Sequence, residues 1–271
     1  MITLDQALST GRGVERAFNC PVHDDRNASA SVNTVKQVWF CYACGAHGSV
    51  EDHVPTTDDV LRVLQGDAPP VIYPESWLDL FDAYEPSPYW TKRYGADTAN
   101  HFRCGTDFQD GSPTYPIRNA RGQALGVVRR YDSQPKYRYP ANIRVSETLF
   151  GLGKRTSVVV LVEGAADVMA LHQSGIPDNW TALGVFGAGL HFPQVQILAD
   201  WSPKVVIAAF DDDPAGHHAT ERAQSQLADI APVVSVGWAT FGGKDPGEVP
   251  VPQRVSGIRA TLQATTYRKY A

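Results

Sequence analysis

The pattern of apolar and polar positions is clearest after residue 156. TSVVVLVEG is a short unbroken apolar run rich in β-branched residues, as expected of a strand buried on both faces. AADVMALHQSG follows with helical spacing and stops at Gly175, with Pro177 beyond. The alternation then repeats: strand TALGVFG, helix HFPQVQILAD, strand KVVIAAFDDD, helix PAGHHATERAQSQLADI, strand PVVSVGWAT. Strands that alternate with helices at this spacing predict a parallel α/β sheet. Residues 251–271 are weakly helical with a basic end.

Upstream the pattern differs. PESWLDLFDAY and YWTKRYG predict short helices. TYPIRNARGQALGVVRRY predicts a β-hairpin turning at Asn119, Ala120, Arg121 and Gly122. TTDDVLRVLQG carries a helical stripe from Val60 to Leu64, capped by Gly66, and DAPP at 67–70 is a semi-stiff linker. The predicted organisation is therefore a small β module over 1–54, a helix and linker over 55–75, an α+β basic subdomain over 76–156, an α/β domain over 157–250 and a tail over 251–271.

Composition narrows the class. The chain has 271 residues, 43% of them hydrophobic, which is enough to build cores. No apolar run has the length of a membrane span, and the first residues lack the basic-then-apolar pattern of a secretory signal, so a cytoplasmic setting is expected. In that setting four cysteines point to metal or chemistry rather than disulfides. The net charge of -5 at first argues against nucleic acid. The segment from Tyr115 to Thr156 reverses that reading, because it holds nine basic residues and two acids. Tyr115, Tyr131, Tyr137 and Tyr139 lie among these cations, and cations interleaved with aromatics suit a single-stranded, phosphate-bearing partner.

Two constellations carry chemistry. Cys20-Pro-Val-His23 and Cys41-Tyr-Ala-Cys44 are two metal-binding knuckles separated by 17 residues. Together they supply the four tetrahedral N/S ligands that Zn²⁺ takes, and a site closed by four protein ligands is structural. His47 and His53 are bystanders, and Cys104 is a small buried apolar residue by default. Beside Cys41, Trp39 and Tyr42 are candidates to stack on bases. The second constellation is acidic. Glu163, the Asp211-Asp212-Asp213 run and Asp245 each follow a predicted strand, and Asp167 lies four residues beyond Glu163. Ligands of open parallel sheets bind beyond the carboxyl ends of the strands, and hard oxygens gathered there suit Mg²⁺ or Mn²⁺. Two of the acids also have a local explanation: Asp213 before Pro214 is an N-cap, and Asp245 before Pro246 is a turn former. GVFGAGL, after another predicted strand, is glycine-rich and reads either as a tight turn or as a place where a phosphate can approach.

These motifs resemble the DnaG-type primases of bacteria and their phages. CPVHDDRNASASVNTVKQVWFCYACGAHGSV is similar to that family's Cys-His-Cys-Cys zinc-binding domain. VVVLVEGAADVMALHQSGI, FDDDPAGHHATERA and GKDPGE resemble the three motifs of its Toprim fold, a Rossmann-like and mostly parallel sheet. IRNARGQALGVVRRYDSQPKYRYPANIRVSETLFGLGK is similar to the basic part of its RNA-polymerase domain. The resemblance implies a DNA-directed RNA polymerase that makes short RNA primers on single-stranded DNA from NTPs, with a replicative helicase as partner. It implies Glu163, Asp211 and Asp213 as catalytic residues, with Glu163, Asp167, Asp211, Asp213 and Asp245 around Mg²⁺ or Mn²⁺. Zn²⁺ would take Cys20, His23, Cys41 and Cys44. Arg129, Arg130, Lys136, Lys154 and Trp39 would contact nucleotide or template. One departure stands out: the family's Asp-Pro-Asp is Asp245-Pro246-Gly247 here, leaving Glu248 or water in place of the third acid. A Toprim nuclease and a non-catalytic zinc/Toprim DNA-binding protein of recombination or replication are the alternatives. No GxxxxGK[ST] motif is present, so helicase activity is not expected of this chain.

Overall fold

The computed structural model describes residues 2–3, 15–24, 28–33, 38–51, 71–82, 87–140, 143–187 and 189–271. The helix expected over 56–66, the linker at 67–70 and His53 lie outside the described residues. The chain divides into two compact units, Met1–Pro70 and Val71–Ala271.

In the first unit, β1 (Ile2–Thr3), β2 (Glu15–Phe18), β3 (Ala30–Asn33), β4 (Val38–Cys41) and β5 (His47–Glu51) form one sheet in the order β1-β5-β4-β3-β2. All pairings are antiparallel except β1 with β5. Side chains of a strand point alternately to its two faces, and β4 shows this directly. Trp39 and Cys41 are buried, whereas Val38 and Phe40 face outward. The core comprises only Phe18, Cys20, Ala30, Val32, Trp39 and Cys41 among the described residues, and two of these six are predicted metal ligands.

The second unit is built on two sheets. A short 3₁₀ turn at Glu75–Leu78 leads into α1 (Asp79–Asp82), followed by α2 (Pro88–Tyr94) and α3 (Ala96–His101). Then β6 (Gly105–Thr106), β7 (Pro113–Arg118), β8 (Ala124–Arg130) and β9 (Tyr137–Arg138) form an antiparallel sheet in chain order. The expected hairpin is β7–β8, closed at Asn119, where Gly122 adopts φ 78°.

Beyond it, β10 (Val158–Val162), α4 (Ala165–Gln173), β11 (Trp180–Gly184), α5 (Phe192–Trp201), β12 (Val205–Ala208), α6 (Pro214–Gln226) and β13 (Val233–Ser235) alternate as the pattern predicts. The four strands pair parallel in the order β11-β10-β12-β13. Every side chain of β10 is buried because both faces of the sheet are covered. Val158, Val160 and Val162 enter one core, and Val159 and Leu161 enter another. The first of these cores also holds Trp90, Tyr94, Tyr115 and Val128, so the antiparallel region and one face of the parallel sheet share a single interior. An antiparallel bridge between Phe150 and Gly184 links them again at the sheet edge.

Two segments differ from the pattern-based expectation. The strand expected through Thr240 ends at Ser235; Trp238–Phe241 coils into a 3₁₀ turn. That turn buries Trp238 completely and lets its indole N–H donate to the Ala209 carbonyl at 3.0 Å. Residues Val251–Gln263 form a full helix, α7, whose Val255, Ile258 and Leu262 join the larger core. Tertiary packing supplies what the weak local pattern did not show.

The tightest backbone approach lies where α6 begins. Asp213 caps the helix, its Oδ1 accepting from the Gly216 amide at 2.9 Å, and Gly216 packs directly over the Asp211 carbonyl. A Cβ at 216 would overlap that oxygen. Gly216→Ala is therefore expected to lower stability by about 1–3 kcal/mol through forced backbone shifts. Thermal melts should show a loss of several degrees; an unchanged Tm would mean that α6 slides freely away from Asp211.

Candidate active site and zinc centre

The zinc ligands are held by the turns flanking the small sheet. Cys41 ends β4, Cys44 lies in the turn after it, and Cys20 and His23 follow β2. The four ligand atoms lie within 4.8 Å of one another. Cys20 Sγ is 3.6 Å from Cys44 Sγ, and Cys41 Sγ is 3.9 Å from His23 Nδ1. Zn–S bonds near 2.3 Å in a tetrahedron give ligand–ligand edges of about 3.8 Å, so the set fits zinc. Backbone amides point at the sulfurs: Val22 N–H at Cys20 and Cys44 N–H at Cys41, at 3.4 and 3.5 Å. Burial acts to raise the Cys41 thiol, but the Ser29 hydroxyl and nearby amides outweigh it and bring it to about 7. A thiol poised near neutrality is readily converted to the thiolate that binds metal. His47 is exposed and turned to the Gly45 carbonyl, outside the ligand set.

The acidic site occupies the carboxyl end of the parallel sheet. Glu163 follows β10, Asp211 follows β12, Asp167 stands in the first turn of α4, and Asp245 lies after the Trp238–Phe241 turn. Glu163, Asp167, Asp211 and Asp245 line one cleft of about 350 Å³. The chemistry of crowding is visible in their titration. Burial, then Asp211, Asp213 and Asp245, push Glu163 up to about 7, although the Asp211 amide donates to it. Burial, then Asp245 and Asp211, raise Asp167 to about 7 against a hydrogen bond from the Gly164 amide. Burial, then Asp245 and Asp213, take Asp211 to about 6. Like charges this close disfavour one another's ionised form unless a cation joins them, and hard oxygen donors select Mg²⁺ or Mn²⁺.

The three consecutive aspartates divide their work. Asp211 faces the cleft. Asp213 is exposed and caps α6 through Gly216. Asp212 turns away and clasps the loops. One oxygen pairs with His217 Nε2 at 2.7 Å, the other accepts from the Ala239 amide at 2.9 Å, and its own amide donates to the Lys244 carbonyl at 2.7 Å. These bonds tie the Asp211 loop to the loop that carries Asp245. Glu248 does not take the place of a third acid: its carboxylate accepts from the Lys244 amide and pairs with the Lys244 ammonium at 3.7 Å. Gly247 does line the cleft, and a Cβ there would stand 3.0 Å from Asp245 Oδ1 and 3.9 Å from Asp167 Oδ1.

The opposite wall comes from the antiparallel region. Lys136, Tyr137 and Tyr139 contribute from β9 and its flanks, and Arg93 and Tyr94 from α2. The Arg93 guanidinium donates to the Tyr94 hydroxyl at 2.8 Å, and the Lys136 ammonium lies 5.7 Å from the centre of the Tyr137 ring. Phe186, in the left-handed region at φ 61°, closes one side together with Gly187, so the glycine-rich turn does border the site.

Of the expected nucleotide or template residues in the second unit, the fold brings Lys136 alone into the cleft. Arg129 pairs with the buried Asp107 at 2.6 Å, and Arg130 pairs with Asp132 at 2.7 Å while stacking 4.4 Å from the Tyr89 ring. Lys154 lines two other concavities, where Trp180 and Trp201 lie. Trp39 is 6% exposed and packs edge-on against Phe18; the rings β4 presents outward are Phe40 and Tyr42, 5.3 Å apart. Arg93 and Tyr94 are the cleft residues that sequence reasoning missed: the helix over YWTKRYG is legible, but nothing in it points to the site. Tyr137 and Tyr139 belong to the aromatic and basic interleaving that reads as a nucleic-acid signal.

Comparison with known proteins agrees with this layout. Residues 9–61 match the CHC2 zinc finger family and residues 160–249 the Toprim-like family. A DNA primase of Synechocystis is 26% identical over 90% of this chain and 52% of its own length. A DNA primase of Synechococcus elongatus is 26% identical over 96% of this chain and 50% of its own length. The chain thus spans about half the length of these curated relatives. The crystal structure of the zinc-binding and RNA-polymerase domains of Aquifex aeolicus primase has the same fold, with TM-score 0.56 and 20% identity over 96% of this chain and 81% of that one. A DnaG primase catalytic domain bound to ssDNA superposes with TM-score 0.54 and 20% identity, covering 70% of this chain and 78% of that one. Among the described residues no helix is long and apolar enough to cross a membrane. The chain is homologous to DnaG-type DNA primases over most of its length and carries a CHC2 zinc finger ahead of a Toprim region.

Proposed function

We propose that this chain synthesises RNA primers on single-stranded DNA, joining ribonucleotides at the Toprim edge. The observation that carries the reading is a cleft with carboxylates on one wall and Arg93, Lys136 and tyrosines on the other. In the reaction the 3′-hydroxyl of one nucleotide attacks the α-phosphorus of the next. A P–O bond forms, the bond to the β-phosphate breaks, and pyrophosphate leaves with the electron pair. Mg²⁺ or Mn²⁺ bound at these oxygens supplies Lewis-acid stabilisation of the attacking and leaving oxygens. Asp211 and Asp245 hold the cations, Asp167 supports them from the first turn of α4, and Asp213 fixes the approach of α6. Glu163 accepts the proton of the attacking hydroxyl. Arg93 and Lys136 hold the triphosphate across the cleft, and Tyr137 offers a ring to ribose or base.

In the same reading the zinc is structural. Among the described residues the first unit's core holds six side chains, two of them ligand cysteines, so the metal sits at the centre of that small core. Zinc contributes about 10–16 kcal/mol in comparable finger peptides, which is enough to decide folding. The exposed Phe40–Tyr42 pair, rather than Trp39, is the surface of this unit suited to stacking on template bases.

The decisive assay mixes the protein with unprimed single-stranded DNA, labelled ribonucleotides and Mg²⁺ or Mn²⁺. Short labelled oligonucleotides are expected from the wild type, with a loss of at least about a hundredfold in Glu163→Gln and Asp211→Asn. No product on several templates with either metal would overturn the primase reading, and cleavage of the DNA would replace it with a nuclease.

Zinc chelation is expected to release amide-exchange protection in strands β2–β5 while leaving strands β7, β8 and β10–β12 protected. Protection that survives stripping would refute the structural role. Asp211→Asn should also raise the Tm of the protein in magnesium-free buffer at pH 8 by a few degrees, because it removes one of several mutually repelling charges. The same substitution should abolish the Tm gain that Mn²⁺ gives the wild type; a Tm that falls without metal would contradict the repulsion.

A further inference from the structure

Behind the acidic cleft lies a cation that the proposed reaction does not use. Arg254, on the second turn of α7, is 6% exposed. Its guanidinium donates to the carbonyls of Val249 (2.8 Å) and Gly247 (3.4 Å) on the acidic loop. It also reaches α4, donating to the Ala170 carbonyl at 2.9 Å and to Gln173 Oε1 at 3.0 Å. All four acceptors are neutral, so no partner in hydrogen-bond contact cancels its charge. Burial and the Arg93 cation push this guanidinium down from its usual value, while Tyr94, Asp245 and Asp167 act to hold it up. An arginine keeps its charge in such a place, and its planar fork suits several fixed acceptors at once. The result is a buried positive charge within electrostatic reach of two carboxylates of the cleft.

We propose that Arg254 is a positioning residue of the divalent-cation site: it locks the Asp245–Val249 loop onto α4 and sets a fixed positive charge behind Asp167 and Asp245. This rests on the reading that those carboxylates hold Mg²⁺ or Mn²⁺. The clamp bears on affinity, because it fixes where the Asp245 oxygens stand. The charge offsets repulsion among the ionised acids but also repels an arriving cation, so the expected loss of affinity on removing Arg254 is the clamp's. Groups that orient metal ligands from behind typically change metal affinity by about 10–100-fold when removed.

The test is Mn²⁺ binding to the full-length protein, followed by water-proton relaxation, alongside the Mg²⁺ concentration that half-saturates primer synthesis. Arg254→Gln is expected to weaken Mn²⁺ binding by at least about tenfold and to raise the half-saturating Mg²⁺ in parallel. Arg254→Lys keeps the charge with fewer of the bonds, and its affinity should fall between the two. A folded Arg254→Gln protein with wild-type Mn²⁺ affinity would overturn the proposal, whatever its Tm, since a merely structural role lowers Tm without moving metal affinity. If Arg254→Gln does not fold, Arg254→Lys decides: an affinity equal to wild type refutes the clamp. Wild-type protein that binds no Mn²⁺ would overturn the cation-site reading itself and this inference with it, an outcome separable from the two above.

Discussion

The structure is organised around an electrostatic conflict, because a parallel sheet ends in acids that repel one another. The loops after β10 and β12 carry Glu163 and Asp211, the first turn of α4 adds Asp167, and a further loop adds Asp245. Left in water such groups would separate. Here burial and mutual charge raise three of them to about 6 or 7, and the backbone holds them in place regardless. What holds them is specific. Gly216 allows α6 to begin against the Asp211 carbonyl, Asp212 ties two loops through His217 and Ala239, and Arg254 secures the third from behind. The hydrophobic sheet makes this possible, since a strand buried on both faces cannot slide to relieve strain at its end.

The parts legible in the sequence are those whose signal is local. Period-two burial explains why VVVLV was readable as a doubly covered strand: its alternate residues feed two separate cores. The acids were readable because strand ends and helix starts are close in sequence, so Glu163 and Asp167, or Asp211 and Asp213, fall within a turn of each other. The zinc ligands were readable for the same reason. Parity could also have placed Trp39. It alternates with Phe40 and shares a face with Cys41, whose sulfur must turn inward to meet the other ligands.

What the sequence concealed is what chain folding brings from afar. Arg129 and Arg130 lie in a basic run, yet Asp107 and Asp132 neutralise them within the antiparallel region, and a charge count cannot distinguish an ion-paired arginine from one aimed at a ligand. Arg93 stands outside that run and enters the cleft because α2 packs beside α4 over the shared core. Lys154 belongs to the run but lines other concavities. The cleft is therefore the product of a shared interior between two sheets, a tertiary fact, whereas its acidic half is nearly a secondary-structure fact.

Gly247 brings these strands of argument together. At this position the family pattern supplies another acid, and the geometry explains what its absence does. A side chain at 247 would grow directly toward Asp245 and Asp167, adding to a cluster that already resists ionisation. Glu248 does not line the cleft; its carboxylate accepts from the Lys244 amide and pairs with the Lys244 ammonium. The Gly247 carbonyl accepts from Arg254, a main-chain bond that any residue at 247 could make, so the glycine removes a charge without removing the anchor. Fewer negative charges in front and a positive charge behind act in the same direction: both lower the cost of gathering Asp167 and Asp245 before a cation binds.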